Sequence, residues 1–197
     1  MSTFQEAPSN QIIHEAAMPL IVTNNNGEQV YVSGTAFLIG IGWAVTAHHV
    51  LEDYLCQYNG IQNTMGNIDV SFQIYALLSI NENTQQIPMR VLRAWSFKPL
   101  DLAVLALGCD PGSVPDDYVW KIPALDLLPP KIGTPIFAFG FANSSVSQSP
   151  DSPHPEVHLH PKTSTGEVVE VHHTIRDSGR LPFPCFRTNA RLDGGMS

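Results

Sequence analysis

An all-β fold is what this sequence predicts, on three observations. Sixteen Pro and fourteen Gly punctuate many short apolar runs, the spacing expected of strands joined by turns. The clearest of those runs alternate apolar and polar residues with the period of two that a half-buried strand requires. No long segment places apolar residues at helical spacing. At 197 residues and 43% hydrophobic content, the chain can bury one sizeable core, or two small ones built as a unit, without disulfide staples.

Taken in order, residues 1–17 read as a loose arm, with Ile12-Ile13 as an alternative edge strand,. Met18 to Val22 is a strand, and Asn25-Asn26-Gly27 is a hairpin turn because Asn and Gly tolerate positive φ,. Val30 to Leu38 returns as the partner strand. Trp43 to Thr46 is the next, after a turn supplied by Gly40 and Gly42, and it ends in the pair His48-His49. Leu51 to Tyr54 reads as one helical turn, followed by a polar, irregular loop to Asn67. Ile68 to Ile80, Ile87 to Trp95 and Pro99 to Leu105 complete about six strands, the number a small closed barrel needs,.

From Cys109 to Pro130 the chain is rich in turn residues and connects two halves,. The second half opens with a strand at Gly133 to Phe141. Asn143 to Thr165 is rich in Ser, Pro and His and reads as a long loop with a short strand at Val157 to His160,. His154, His158 and His160, with Glu156 nearby, could be written as a metal site. A Pro-punctuated loop collects histidines without holding them in fixed geometry, so no metal is assigned. Thr165 to Val171 alternates as a strand, Arg176 to Pro184 is a loop, and Phe186 to Ala190 leads into the final residues.

Eighteen acidic against ten basic side chains give a formal charge of -8, which argues against nucleic acid or an anionic membrane as partner, because both demand a positive face. Cys56, Cys109 and Cys185 are an odd count without C-x-x-C spacing, so neither a disulfide framework nor a zinc knuckle is indicated,. The amino-terminal stretch lacks the basic start and apolar centre of a signal peptide, and no run reaches the length of a membrane span. A reducing, cytoplasmic compartment is the expectation.

Three motifs, in the order His, Asp, Ser, carry a family resemblance. Thr46-Ala47-His48-His49-Val50 resembles the T-A-x-H-[CV] signature around the general base of chymotrypsin-like serine proteases, and the strand from Gly34 resembles the one that precedes it there. The alignment places His49, not His48, at the base. Asp101-Leu102-Ala103-Val104-Leu105 resembles the stretch around the catalytic aspartate, and Thr188 to Ser197 matches HtrA-like proteases in register around the G-x-S of the nucleophile loop. Gly133 to Phe141 resembles the strand that opens the family's second barrel.

The resemblance implies two six-stranded antiparallel β-barrels, the second incomplete: residues 18–108 as the first barrel, 109–131 as the connection and 132–197 as part of the second. It implies a serine endopeptidase acting on protein or peptide substrates, with His49, Asp101 and Ser197 as triad, Gly195 and Ser197 N–H groups as oxyanion hole, and no cofactor. Arg191 and Leu192 fall where the family walls its specificity pocket; an arginine there could favour acidic side chains, or could point outward or pair with Asp193.

Two departures matter. The sequence ends at Ser197, where two further glycines and the closing strands of the family would follow, so a fragment of a longer polypeptide is expected, with a regulatory partner or a further carboxy-terminal domain such as PDZ left open. Met196 stands where animal trypsin-like zymogens carry an Asp, so activation by a newly cleaved amino terminus is not expected. The alternatives are a catalytically inactive, peptide-binding pseudoprotease or interaction fragment, and a His-rich metal-binding module.

Overall fold

The computed structural model describes residues 3–6, 13–26, 29–58, 61–62, 65–80, 85–126, 128–147, 155–174, 176 and 183–192. The chain begins with β1 (Thr3–Glu6), a single helical turn at Ile13–Ala16, β2 (Ala17–Asn24), β3 (Val30–Gly40) and β4 (Trp43–Thr46). Two 3₁₀ turns, His48–Val50 and Glu52–Tyr54, lead to the short hairpin β5 (Gln57–Tyr58) and β6 (Ile61–Gln62). Long strands β7 (Phe72–Ile80) and β8 (Gln85–Phe97) follow, then a 3₁₀ turn at Lys98–Leu100 and β9 (Leu102–Gly108). The second half holds β10 (Pro135–Gly140), β11 (Ser145–Ser147), β12 (Glu156–His158), β13 (Lys162–His172) and β14 (Cys185–Thr188).

Six of these strands close into an antiparallel barrel in the order β2-β3-β4-β9-β8-β7. Its filling follows directly from the period of two. Met18, Leu20 and Val22 of β2, Ile74, Ala76, Leu78 and Ile80 of β7, Ile87, Met89 and Val91 of β8, and Ala103, Leu105 and Leu107 of β9 all point inward and are buried,. On β8 the alternation breaks after Val91, because a register shift between Val91 and Arg93 leaves Leu92 and Arg93 both outward and turns Ala94 inward in place of Arg93,. A second bulge lies where β2 meets β3: Leu20 pairs with Gly34 and Ile21 with Val32, leaving Ser33 as the extra residue.

Around β13 the other half builds a four-stranded sheet, with β10, β1 and β14 as its partners, and β11 and β12 form a separate hairpin. Among the described residues this half is an open sheet, consistent with the incomplete second barrel expected from the sequence. The two halves meet at a hydrogen bond from Phe141 N–H to Thr35 Oγ1, 3.1 Å. Beside it, the buried ring of His14 packs edge-on against Phe139, with centroids 4.8 Å apart.

Four expectations shift. The amino-terminal arm is not wholly loose: Thr3–Glu6 pairs with residues 162–165 of β13. The strand expected from Ile68 starts at Phe72, because Asp69 folds the chain into a turn, accepting the Ser71 N–H on Oδ1 at 2.8 Å and the Phe72 N–H on its carbonyl at 3.0 Å,. Pro99 and Leu100 belong to a 3₁₀ turn rather than to β9. The short strand expected at Val157 to His160 lies at Glu156–His158 and pairs with β11, and β13 begins at Lys162 rather than Thr165.

Candidate active site

His49 is delivered by the end of β4. Ala47 is still extended, at φ −73° and ψ 147°, and the chain then tightens into the turn His48–Val50. Val50 and Leu51 are buried beneath it, so the turn is held by the barrel core while the His49 side chain is left 55% accessible. Two hydroxyls fasten the approach. Thr46 Oγ1 donates to the Thr35 carbonyl at 2.8 Å, and Ser33 Oγ donates to the Val50 carbonyl at 2.5 Å. Ser33 is the bulged residue of β3, so the irregularity of that strand re-aims a side chain onto the histidine turn,.

Asp101 comes from the opposite side, at the junction between the turn Lys98–Leu100 and β9. Pro99 presets the first dihedral of that turn, and the Asp101 N–H closes it on the Lys98 carbonyl at 3.1 Å,. Asp101 itself is left-handed, at φ 46° and ψ 43°, a conformation open to Asp and Asn but costly for most residues with a Cβ. That conformation aims the carboxylate back at β4. It accepts the His49 backbone N–H on Oδ1 at 3.0 Å, while His49 Nδ1 lies 2.8 Å from Oδ2 and 3.0 Å from Oδ1.

An ionised carboxylate can only accept, so this contact selects the His49 tautomer with the proton on Nδ1 and leaves Nε2 as the basic ring nitrogen. Partial burial pushes the Asp101 carboxyl upward, but hydrogen bonds from the backbone and ring of His49, helped by the charges of His49 and His48, outweigh it and hold the carboxyl below its ordinary value,. Asp101 is therefore a permanent anion at neutral pH. It orients an imidazole and can stabilise the imidazolium formed when Nε2 takes a proton.

His48 faces the other way. Its buried ring shares a hydrogen bond between Nδ1 and Ser96 Oγ, and Nε2 lies 3.4 Å from Glu52 Oε1. The same Glu52 oxygen receives Lys98 Nζ. The Lys98 hydrogen bond and charge, with a smaller contribution from His48, hold the Glu52 carboxyl below the usual carboxylate range. Nothing in the local sequence around His48 distinguishes these partners, which lie on three separate elements.

The segment leading toward residue 197 is anchored on Glu167 of β13. Asn189 N–H and Thr188 Oγ1 donate to the Glu167 carbonyl at 3.2 and 3.0 Å, and Asn189 Oδ1 accepts the Glu167 N–H at 2.8 Å. This close approach requires Gly166: a Cβ there would lie 2.5 Å from Ala190 N and 2.6 Å from Asn189 Oδ1,. A glycine inside an otherwise alternating strand was the available sequence signal for it.

Ser197 and Gly195, expected as nucleophile and oxyanion-hole donor, lie outside the described residues, as do Asp193 and His154. Arg191 and Leu192 are exposed. Neither lines the cavity of about 480 Å³ between the barrel and the second sheet, whose walls include Asp101, Leu102, Phe37, Leu125, Phe137 and Phe139. His158 on β12 meets Ser147 Oγ through Nε2 at 2.7 Å, with Glu156 3.9 Å from the same nitrogen. No group of three or more His, Cys, Asp or Glu among the described residues is arranged to hold a metal.

The trypsin-like peptidase domain profile matches residues 34–197. Among solved structures, the chain resembles the protease Anisep from Arthrobacter nicotinovorans, at 14% identity and TM-score 0.52, over 85% of this chain and 68% of that one. It resembles the MamO protease domain from Magnetospirillum magneticum (apo form), at 15% identity and TM-score 0.50, over 95% and 77%. The active form of the Rv3671c protease from M. tuberculosis matches at 17% identity and TM-score 0.44, over 98% and 70%. At these identities the likeness is one of fold. No curated protein sequence matches the chain.

Proposed function

Because the chain belongs to the family of trypsin-like peptidases, we propose that it is a serine endopeptidase that cleaves protein or peptide substrates through an acyl-enzyme. In this reading Ser197 attacks the scissile carbonyl, and His49 Nε2 removes the hydroxyl proton and passes it to the leaving amine. Asp101 holds the Nδ1 proton and stabilises the transient imidazolium. The N–H groups of Gly195 and Ser197 receive the developing oxyanion, and a water activated by His49 then releases the acyl group. No cofactor enters the cycle.

The observation that carries this reading is the double engagement of Asp101 by the backbone N–H and the ring of His49. A carboxylate that only capped a turn would not also contact a ring nitrogen. A reducing, cytoplasmic location is part of the same proposal and rests on the odd cysteine count; among the described residues no helix is long and apolar enough to cross a membrane. The test is intact mass after exposure to a fluorophosphonate. One adduct that disappears in Ser197→Ala and falls sharply in His49→Ala is expected. A well-folded protein that takes no adduct would overturn the catalytic assignment and favour a peptide-binding role for the same fold.

A further inference from the structure

Resting on that reading, we infer that Glu52 is a positioning residue for the peptidase site: its carboxylate bridges the turn that carries His49 and the turn that precedes Asp101, and fixes the approach of one to the other. The bridge can be followed atom by atom. Glu52 Oε1 receives Lys98 Nζ and lies 3.4 Å from His48 Nε2. Lys98 opens the turn Lys98–Leu100, and its carbonyl accepts the Asp101 N–H at 3.1 Å. His48 opens the turn His48–Val50 and is held at its other nitrogen by Ser96, two residues before Lys98 on β8. The His48 ring is therefore hydrogen-bonded at Nδ1 to Ser96, whose backbone leads to Asp101, and has at Nε2, which makes no hydrogen bond, the Glu52 carboxylate that Lys98 holds from the turn before Asp101.

Stability alone does not account for this arrangement. The Lys98 side chain is 73% accessible and that of Glu52 39%, and ion pairs in such surroundings contribute little to folding. Orientation is a different matter. His48 and His49 are consecutive residues of one 3₁₀ turn, so a shift of His48 as a whole moves the peptide between them, whose N–H donates to Asp101 at 3.0 Å. A displacement of about 1 Å at a catalytic group can lower the rate about 100-fold.

The experiment compares Glu52→Ala, Lys98→Ala, their double variant and Glu52→Gln, which keeps an acceptor without the charge. Two readouts are taken on each: kcat and KM on a peptide ester, and the His49 tautomer from long-range ¹⁵N spectra of the imidazole. The inference expects kcat to fall about 10-fold or more in Glu52→Ala with KM little changed. The double variant should lose no more than the worse single, and Glu52→Gln should recover part of the rate. The His49 population with the proton on Nδ1 should drop in step. If Glu52→Ala leaves both kcat and the tautomer as in the parent protein, the inference is overturned. A parent protein inert to the ester would defeat the peptidase reading instead, and the tautomer comparison would still decide the role of Glu52.

Discussion

Asp101 binds His49 at two points, the backbone N–H at 3.0 Å and the ring Nδ1 at 2.8 Å, from a left-handed residue wedged between a 3₁₀ turn and a strand. One contact positions the carboxylate against the turn, and the other orients the ring. The conformation of Asp101 and its chemistry are thus separable by substitution.

Asp101→Asn keeps a side chain that tolerates positive φ, so it should lose only the stability of the charged contact with His49 while kcat falls by about 10⁴-fold through loss of the correct tautomer. Asp101→Val should lose activity and also about 1–3 kcal/mol of stability, because a β-branched residue is strained in that region. Denaturant unfolding beside steady-state kinetics separates the two; equal stability for Asn and Val would show that the left-handed turn relaxes freely. The depressed carboxyl also fixes a sign: stability from Asp101 is present above its ordinary value of 3.8 and is lost as pH falls through the lower folded value,.

Ser33→Ala removes the hydroxyl that caps the Val50 carbonyl. The expected cost is about 1 kcal/mol in urea unfolding, together with a slower fluorophosphonate reaction. Ser33→Thr should retain part of both. An unchanged labelling rate in Ser33→Ala would mean that Val50 and Leu51 burial alone holds the histidine turn.

Gly166→Ala forces a methyl into the backbone of Ala190 and the Asn189 side chain. Overpacking of this kind costs about 1–3 kcal/mol. The displaced segment is the one that leads toward Ser197, so labelling should fall further than stability predicts. Full labelling with parental stability would show that residues 188–190 can move aside without consequence.

Burial pushes the Tyr118 hydroxyl up to about 12, with the charge and hydrogen bond of Glu15 acting in the same direction. The contact runs from Tyr118 Oη to Glu15 Oε2 at 3.4 Å. The unfolded chain gives up this proton near its ordinary 10.0 while the folded chain still holds it, so stability should fall as pH rises between about 10 and 12. Tyr118→Phe should flatten that decline, which pH-dependent urea midpoints would register.

The barrel was legible because its rule is local. Met18, Leu20 and Val22, or Ile74, Ala76, Leu78 and Ile80, declare an inward face by alternation alone, and Gly42 at φ +75° marks the turn between β3 and β4. His49 and Asp101 stood out for a different reason: each sits in a short motif that resembles one of the trypsin-like family. Which of two adjacent histidines meets the carboxylate followed from the motif's register.

What the tertiary structure decided depends on residues far apart in the chain. Ser33 carries no mark of the bulge that turns it toward Val50, since the bulge exists only in the pairing with β2. Thr3–Glu6 reads as an arm until residues 162–165 of β13 offer it a free edge. Asp101 reads as the start of a strand until Lys98–Leu100 curls and leaves it left-handed. The sequence by itself determined which residues face inward and which few polar groups stand among them, because burial periodicity is a property of neighbours along the chain. The angle at which those polar groups meet was decided only in three dimensions, because bulges, turn closures and strand edges are set by contacts between segments that no local pattern encodes.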